Sequence, residues 1–393
     1  MISKVPMVSC ALDAGEILGG IWRMFDARCR EGFRRELSTH CAARHIYLFN
    51  SGISSFYIIL LALKRLSPTK REVVLPAYTA GSLVVAVRKA GLTPLLCDIS
   101  PDDYGITVEE AEKAISPRTL AVVGIHMFGL VMKDAQLLRA RLPREVFVVE
   151  DCAQAMGSET AGRQVGNFGD VSFFSFNRGK NLPLFGGGAI ATDNEAIRRA
   201  VEEAMRDVRG AGWASRLIMP AAITAFALAS SRFIYGAAFS CIARFKETRP
   251  PKDFSVRGMG DLEAGWALLL MRRRAYLFGR RHENGIFLLD GLKGAAGIEL
   301  PQIREGTRPV FNRLPVVFKE IAARDRAQEI LWQSGIETSR MYGAPLYRMF
   351  AMAGKDEDFP SAAYAAERLL TLPVHPALTR SDLTTMIDIL GNV

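Results

Sequence analysis

Between residues 46 and 150 short apolar runs alternate with segments of helical period. Residues 46–49, 72–75, 93–98, 120–125 and 146–150 are brief stretches rich in branched and aromatic side chains, and they read as strands. Residues 56–66, 83–90, 108–114 and 133–141 carry apolar positions at helical spacing between them. Strand runs separated by helices imply parallel strands joined by crossovers. Residues 1–45 read as helical and partly amphipathic. The α/β pattern continues to about residue 195, and 196–209 reads as a charged helix. Residues 213–245 are strongly apolar, Pro250 and Pro251 mark a break, 261–295 reads as one long helix, and 309–393 mixes short strands and helices. The expected architecture is a large α/β domain over 1–250, with a mostly parallel seven-stranded sheet and an apolar insertion at about 213–245, followed by a smaller α+β domain over 251–393.

Composition narrows the classes of partner. The chain has 393 residues, is 49% hydrophobic and carries a formal charge of +9, which favours anions. Its basic residues are scattered, with no aromatic-interleaved stripe, which argues against nucleic acid and leaves phosphorylated metabolites and anionic lipid surfaces. Cysteines 10, 29, 41, 97, 152 and 241 form no C-x-x-C pair, so reduced thiols in the cytoplasm are expected. The first residues lack a secretory signal pattern. The five histidines have no ligand spacing with cysteines or carboxylates, so no metal is expected.

Three stretches carry candidate chemistry. At 148–155 a strand ends in Glu150-Asp151, and Gln154 follows three residues later. Ligands of open α/β sheets sit at the carboxyl ends of strands, where a buried Asp needs a cationic partner; an Asp capping the next helix is the alternative. At 169–181 an apolar strand leads through Ser175 and a polar turn to Lys180, with Gly186, Gly187 and Gly188 beyond. A desolvated lysine there is nucleophilic toward an aldehyde; an ordinary surface lysine is the alternative. At 50–55, Gly52, Ile53 and Ser54 stand between a strand and a helix, as an anion-binding helix start or a simple cap.

Together these residues resemble the fold-type-I pyridoxal-phosphate enzymes, and among them the DegT/DnrJ/EryC1/StrS group of sugar aminotransferases. Ser51-Gly52-Ile53-Ser54-Ser55 is similar to that group's S-G-T-x-A loop. Glu150 to Ala155 matches E-D-x-A-Q-A/S, and Gly162 with Gly166 to Asp170 matches G-x-x-G-x-F-G-D. Phe174-Ser175-Phe176 to Lys180-Asn181-Leu182 matches F-S-F-x-x-x-K-N-L. Flanking matches are Pro76 to Thr79, His126 to Gly129, Tyr342 with Pro345 to Tyr347, and Leu372 to Pro376. The resemblance implies that Lys180 bonds covalently to the cofactor and later moves the substrate proton. It implies further that Asp151 pairs with the ring nitrogen, that Gln154 approaches the ring's phenolic oxygen, and that Ser175 and the backbone of Gly52, Ile53 and Ser54 hold the phosphate. The expected reaction is amino transfer, from glutamate, to a nucleotide-linked keto-sugar by a homodimer; another pyridoxal-phosphate reaction and a non-catalytic scaffold are the alternatives.

The chain departs from the group in three places. Ala80 stands where a ring-stacking aromatic is usual, leaving Tyr78 or Phe128 to take that part. Val256 and Gly258 stand where a partner-supplied Asn and Arg are usual, with Arg257 as a replacement phosphate contact or a solvated loop arginine. Residues 213–245 are longer and more apolar than the group requires. They read as a buried core or interface pair, as a membrane-surface attachment flanked by Arg216, Arg232, Arg244 and Lys246, or as a spanning segment, although the apolar core is shorter than the ~20 residues a span needs. His126 reads as an active-site or structural residue, His375 as structural, Cys152 as packing, and Arg272 to Arg274 as a solvated helix face or a diphosphate-attracting cluster.

Overall fold

Strands form where the apolar runs stand. The computed structural model describes residues 4–23, 26, 28–243 and 250–393. Nine strands lie in its first half: β1 (His45–Phe49), β2 (Glu72–Pro76), β3 (Thr93–Cys97), β4 (Thr119–Ile125), β5 (Phe147–Asp151), β6 (Glu159–Thr160), β7 (Arg163–Gln164), β8 (Val171–Ser175) and β9 (Gly188–Thr192). Seven of them form one sheet in the order β1-β9-β8-β5-β4-β2-β3. The β3-β2-β4-β5-β8 pairings are parallel, and β8-β9 and β9-β1 are antiparallel. Every residue of β2 and β4 is buried, as strands covered on both faces require.

The strand beginnings and ends lie within a residue or two of those read from the sequence; the main differences are downstream. β10 (Ile298–Glu299), β12 (Leu314–Phe318) and β13 (Leu369–Leu372) form a small antiparallel sheet, and β11 (Thr307–Arg308) pairs with β6, whose other edge pairs with β7. The single helix expected over 261–295 is two, Asp261–Arg272 and Arg274–Leu292, broken at Arg273 (φ −100°, ψ 10°). The break lets the first pack on the Arg28–Cys41 helix and the second on the Arg380–Gly391 helix. The basic cluster is not a plain solvated face. Arg273 pairs with Glu16 at 2.6 Å and Arg274 with Glu36 at 3.1 Å, while Arg272 is exposed.

Residues 213–245 contain two helices, Trp213–Ala229 and Arg232–Ala243. No helix among the described residues is long and apolar enough to cross a membrane, which removes the spanning reading. The pair is fixed to the body at several points. Phe226 meets Phe185 edge-on at 5.6 Å, the Tyr235 hydroxyl donates to Glu337 at 2.6 Å, and Arg232 pairs with Asp382 at 2.5 Å. Ile223 and Tyr235 are buried, whereas Ile218, Leu228, Phe233 and Ile234 are exposed, Phe233 to 73%. Arg244 and Lys246 lie outside the described residues.

The start of the described chain is a strap. Val5 bridges Ile336, Pro6 O accepts from His375 Nε2, and Met7 N–H donates to Glu337. Val8 lies against Gly179, one residue before Lys180.

Candidate active site

The site is built at the carboxyl ends of β5 and β8. Glu150 faces away from the cleft and is fully committed. It accepts the N–H groups of Gly166 (2.9 Å), Phe168 (2.5 Å) and Gly169 (2.6 Å), and lies 3.0 Å from His126 Nε2. One carboxylate thereby ties two matches of the sequence together, the strand end at 150–155 and the glycine-rich stretch at 166–170. His126 receives the Met132 N–H on its other nitrogen, at 3.1 Å. With both nitrogens occupied it is a buried structural residue. The trio His126, Glu150 and Cys152 is compact enough to suggest a metal, but these hydrogen bonds already account for His126 and Glu150.

Asp151, next along β5, is buried and accepts the Ala153 N–H at 2.9 Å. Burial raises its pKa, opposed by that bond and by the charges of Lys180 and His126. Gln154 donates to the Tyr342 hydroxyl at 3.2 Å, and its Oε1 is buried without a partner.

Lys180 sits on a turn held from three sides. Its N–H donates to Asn177 O at 2.9 Å, and its carbonyl accepts from Arg281 at 3.2 Å. Asn312 donates to the carbonyl of Gly179, and Asn181 donates to Met156 O and Val310 O. The side chain is partly open to the cleft. Its surroundings lower the pKa to about 8, chiefly by burial, with Arg313 adding to the effect and Asp151 opposing it.

The third part is the start of the Gly52–Leu66 helix, where Ser51 caps by accepting the Ser54 N–H at 3.2 Å. A Cβ on Gly52 would stand 2.7 Å from Ser175 Cβ and 3.1 Å from its Oγ. The helix start and the Ser175 hydroxyl are thus brought together only because residue 52 has no side chain. Gly188 plays the same part beneath: a Cβ there would lie 2.4 Å from Ser51 backbone atoms. Ser54 Oγ is turned to Ser51 Oγ (2.8 Å) and Ser255 O (3.3 Å), and Ile53 packs on the core.

Tyr78 is buried, meets Tyr342 edge-on at 5.5 Å, and has a hydroxyl without a partner. Phe128 is turned into the core against Tyr104 at 5.2 Å, which leaves Tyr78 as the aromatic of the cleft. Arg257 is exposed; its backbone bonds to Asn50 on both sides and its guanidinium lies against Gly212. His375 is buried far along the chain, bonded to Pro6 O, and burial lowers its pKa to about 4. Cys152 is packed in the core.

Sequence reasoning missed Arg281, Asn312 and Arg313. Their links to the Lys180 turn span more than a hundred residues of chain, and no local pattern announces them. Tyr342 was visible only as part of a flanking match.

The arrangement fits pyridoxal phosphate. The Gly52 helix start with Ser175 is a cradle for a phosphate, Asp151 is a buried carboxylate in want of a cation, Gln154 Oε1 and the Tyr78 hydroxyl are buried without a hydrogen-bond partner, and Lys180 is a weakened base. Comparison with known proteins agrees. The model of the DegT/DnrJ/EryC1/StrS aminotransferase family matches residues 15–219 and 243–391, leaving 220–242 outside the match. A dTDP-3-amino-3,4,6-trideoxy-alpha-D-glucose transaminase of Streptomyces venezuelae is 30% identical over 366 residues, covering 91% of this chain and 85% of its own. A UDP-N-acetyl-3-dehydro-alpha-D-glucosamine 3-aminotransferase of Acidithiobacillus ferrooxidans is 28% identical over 382 residues, covering 96% and 90%. The crystal structure of S. venezuelae DesV in complex with a ketimine intermediate superposes with a TM-score of 0.76 at 28% identity, over 99% and 98% of the two chains. The chain belongs to the DegT/DnrJ/EryC1/StrS aminotransferase family and is a pyridoxal-phosphate-dependent aminotransferase.

Proposed function

We propose that the enzyme transfers an amino group from glutamate to a keto-sugar carried on a nucleotide, in the making of an amino sugar for a surface polysaccharide, a glycolipid or a secondary metabolite. The observation that carries this reading is the convergence of Lys180, Asp151, Gln154 and the Gly52–Ser175 cradle in one cleft. The nucleotide-sugar part is supported by the named activities of the two relatives above.

When bound, pyridoxal phosphate supplies an electron sink that loosens the proton on the carbon bearing the amino group. Ser175 Oγ and the N–H groups of the Gly52–Leu66 helix hold its phosphate. Asp151 would pair with the ring nitrogen and hold a proton on it, a cation that would offset the cost of its own burial. Gln154 would approach the ring's phenolic oxygen. Lys180 Nζ would anchor the cofactor and, as a free amine, would take the proton from the donor's carbon and return one to the acceptor's. A lysine whose pKa is about 8 accepts and gives up a proton near neutral pH without a large barrier.

The same reading has the enzyme as a cytoplasmic homodimer. Free thiols at Cys10, Cys29, Cys41, Cys97 and Cys152 support the compartment. The exposed Arg257, on a segment bonded to the phosphate loop through Asn50, supports a reach toward the partner's phosphate site. Contact of 213–245 with a membrane surface completes the proposal, supported by the exposed Ile218, Leu228, Phe233 and Ile234.

The test is the absorption spectrum of the purified protein reconstituted with pyridoxal phosphate. A band near ~420 nm, absent in Lys180→Ala, is expected. Glutamate bleaches it with formation of 2-oxoglutarate, and a nucleotide-linked keto-sugar restores it. A band indifferent to glutamate overturns the donor assignment.

A further inference from the structure

We propose that Arg313 is the residue that binds the α-carboxylate of the amino-acid donor, a guanidinium set beside Lys180 before any substrate arrives. The proposal rests on the aminotransferase reading of the site.

Arg313 precedes β12, and its position is fixed by its neighbour. Asn312 is bonded to Phe128 O through its N–H and to the Gly179 carbonyl through its side chain. The guanidinium reaches the cleft: one terminal nitrogen lies 3.6 Å from where a Cβ on Gly179 would stand, and its charge acts on Lys180, Tyr342 and Tyr78. Its Nε is sealed from solvent without a hydrogen-bond partner, while the residue as a whole is partly open. Among the described residues no carboxylate pairs with it. Glu337, the acid whose field it feels, has one oxygen engaged by the Met7 N–H and the Tyr235 hydroxyl, both at 2.6 Å. The cationic charges that act on Asp151 are those of Lys180 and His126.

The contrast with Arg281 is informative. That second buried guanidinium donates to three backbone carbonyls, those of Phe311, Asn312 and Lys180. Its Nε too is without a partner, but its two terminal nitrogens are spent on holding the turn. Among the described residues Arg313 has no hydrogen-bond or ion-pair partner, and a guanidinium with its Nε sealed from solvent and no partner is costly unless an anion comes to it. The planar fork suits a carboxylate, which it can grip with two parallel bonds.

Chemistry selects which carboxylate. The atom that exchanges its proton with Lys180 Nζ is the donor's α-carbon, and the α-carboxylate is bonded directly to it. A group recognised beside Lys180 is therefore one bond from the reacting centre. The diphosphate of a nucleotide-sugar is several bonds from any ring ketone, and the cofactor's phosphate has its own cradle at Gly52 and Ser175. A carboxylate on the acceptor sugar is the other source of the same chemistry, and the two half-reactions separate them.

The experiment compares wild type with Arg313→Gln and Arg313→Lys, each loaded with pyridoxal phosphate, using cofactor absorbance as the check on folding. Donors are L-glutamate and 4-aminobutyrate, which has the same amine and distal carboxylate but no α-carboxylate. Expected for Arg313→Gln is a loss of one to two orders of magnitude in the efficiency of bleaching by glutamate, as for a charged hydrogen bond removed (about 10- to 100-fold). The reactions with 4-aminobutyrate and with the keto-sugar change only by the common factor that the raised Lys180 pKa imposes on every half-reaction, so the preference for glutamate collapses; Arg313→Lys lies between. An unchanged preference for glutamate over 4-aminobutyrate overturns the proposal. A loss confined to the sugar half-reaction overturns it too, and moves the carboxylate to the acceptor. If wild type itself does not respond to glutamate, the reading of the donor fails rather than the assignment of Arg313 within it.

Discussion

A methyl group at position 52 would stand 2.7 Å from Ser175 Cβ, so one atom decides whether the helix start and the serine hydroxyl can share a phosphate. Gly52→Ala is expected to weaken pyridoxal-phosphate binding tenfold or more, at about 1–3 kcal/mol of overpacking; equilibrium dialysis of the cofactor against the apoenzyme measures it. Lys180 supplies a second expectation. Capture of the cofactor needs the neutral amine, and burial sets its pKa at about 8. The rate of capture by the apoenzyme should rise as pH increases toward 8 and level off above it. Because the charge of Arg313 helps to depress that value, Arg313→Gln moves the inflection upward, which stopped-flow absorbance across pH 6 to 10 would reveal. At this scale the sequence was legible wherever chemistry is grouped along the chain: Asp151 and Gln154 share one turn, and Ser175 and Lys180 another. Arg281, Asn312 and Arg313 escaped because they meet Lys180 through folding alone.

Among the elements, the strands of the large sheet were read almost to the residue, since strands buried on both faces must be apolar throughout and the helices between them must not be. The long helix was misread because a run of helical period says nothing of a change of partner, and the Asp261–Arg272 and Arg274–Leu292 helices pack on different neighbours. The pair Trp213–Ala229 and Arg232–Ala243 was legible as apolar but not as to where its apolar side goes. Half of that answer is internal, through Phe226 and Tyr235, and half faces outward, through Phe233 and Ile218. Substituting Ile218, Leu228, Phe233 and Ile234 by Ser is expected to leave the cofactor spectrum unchanged and to abolish flotation with anionic liposomes. Equal flotation of both forms, or none with the parent, would remove the membrane contact from the proposal.

For the molecule as a whole, stability should be sensitive to acid through His375. Its folded-state pKa is depressed to about 4 from 6.5 by burial, and its Nδ1 has no partner. As pH falls below 6.5 the unfolded chain takes up a proton that the folded protein refuses until about 4, so stability declines across that window. Between pH 7 and 5 the loss from this group is about 2 kcal/mol. Urea unfolding of wild type and His375→Gln at the two pH values checks it: the variant should show a pH dependence smaller by that amount, whatever its stability at pH 7.

The strap that His375 secures has a consequence for how the enzyme is made. Pro6 and His375 are separated by 369 positions, and Val5 waits for Ile336. This early-made segment therefore finds its place only after residue 375 has been made, while the sheet that carries Asp151 and Ser175 is complete in sequence by residue 192. At roughly 5–20 residues per second, the nascent cleft stands without its strap, Arg281, Asn312 and Arg313 for tens of seconds at the slower rates, and the turn that presents Lys180 acquires its braces only once residues 281 to 375 have followed.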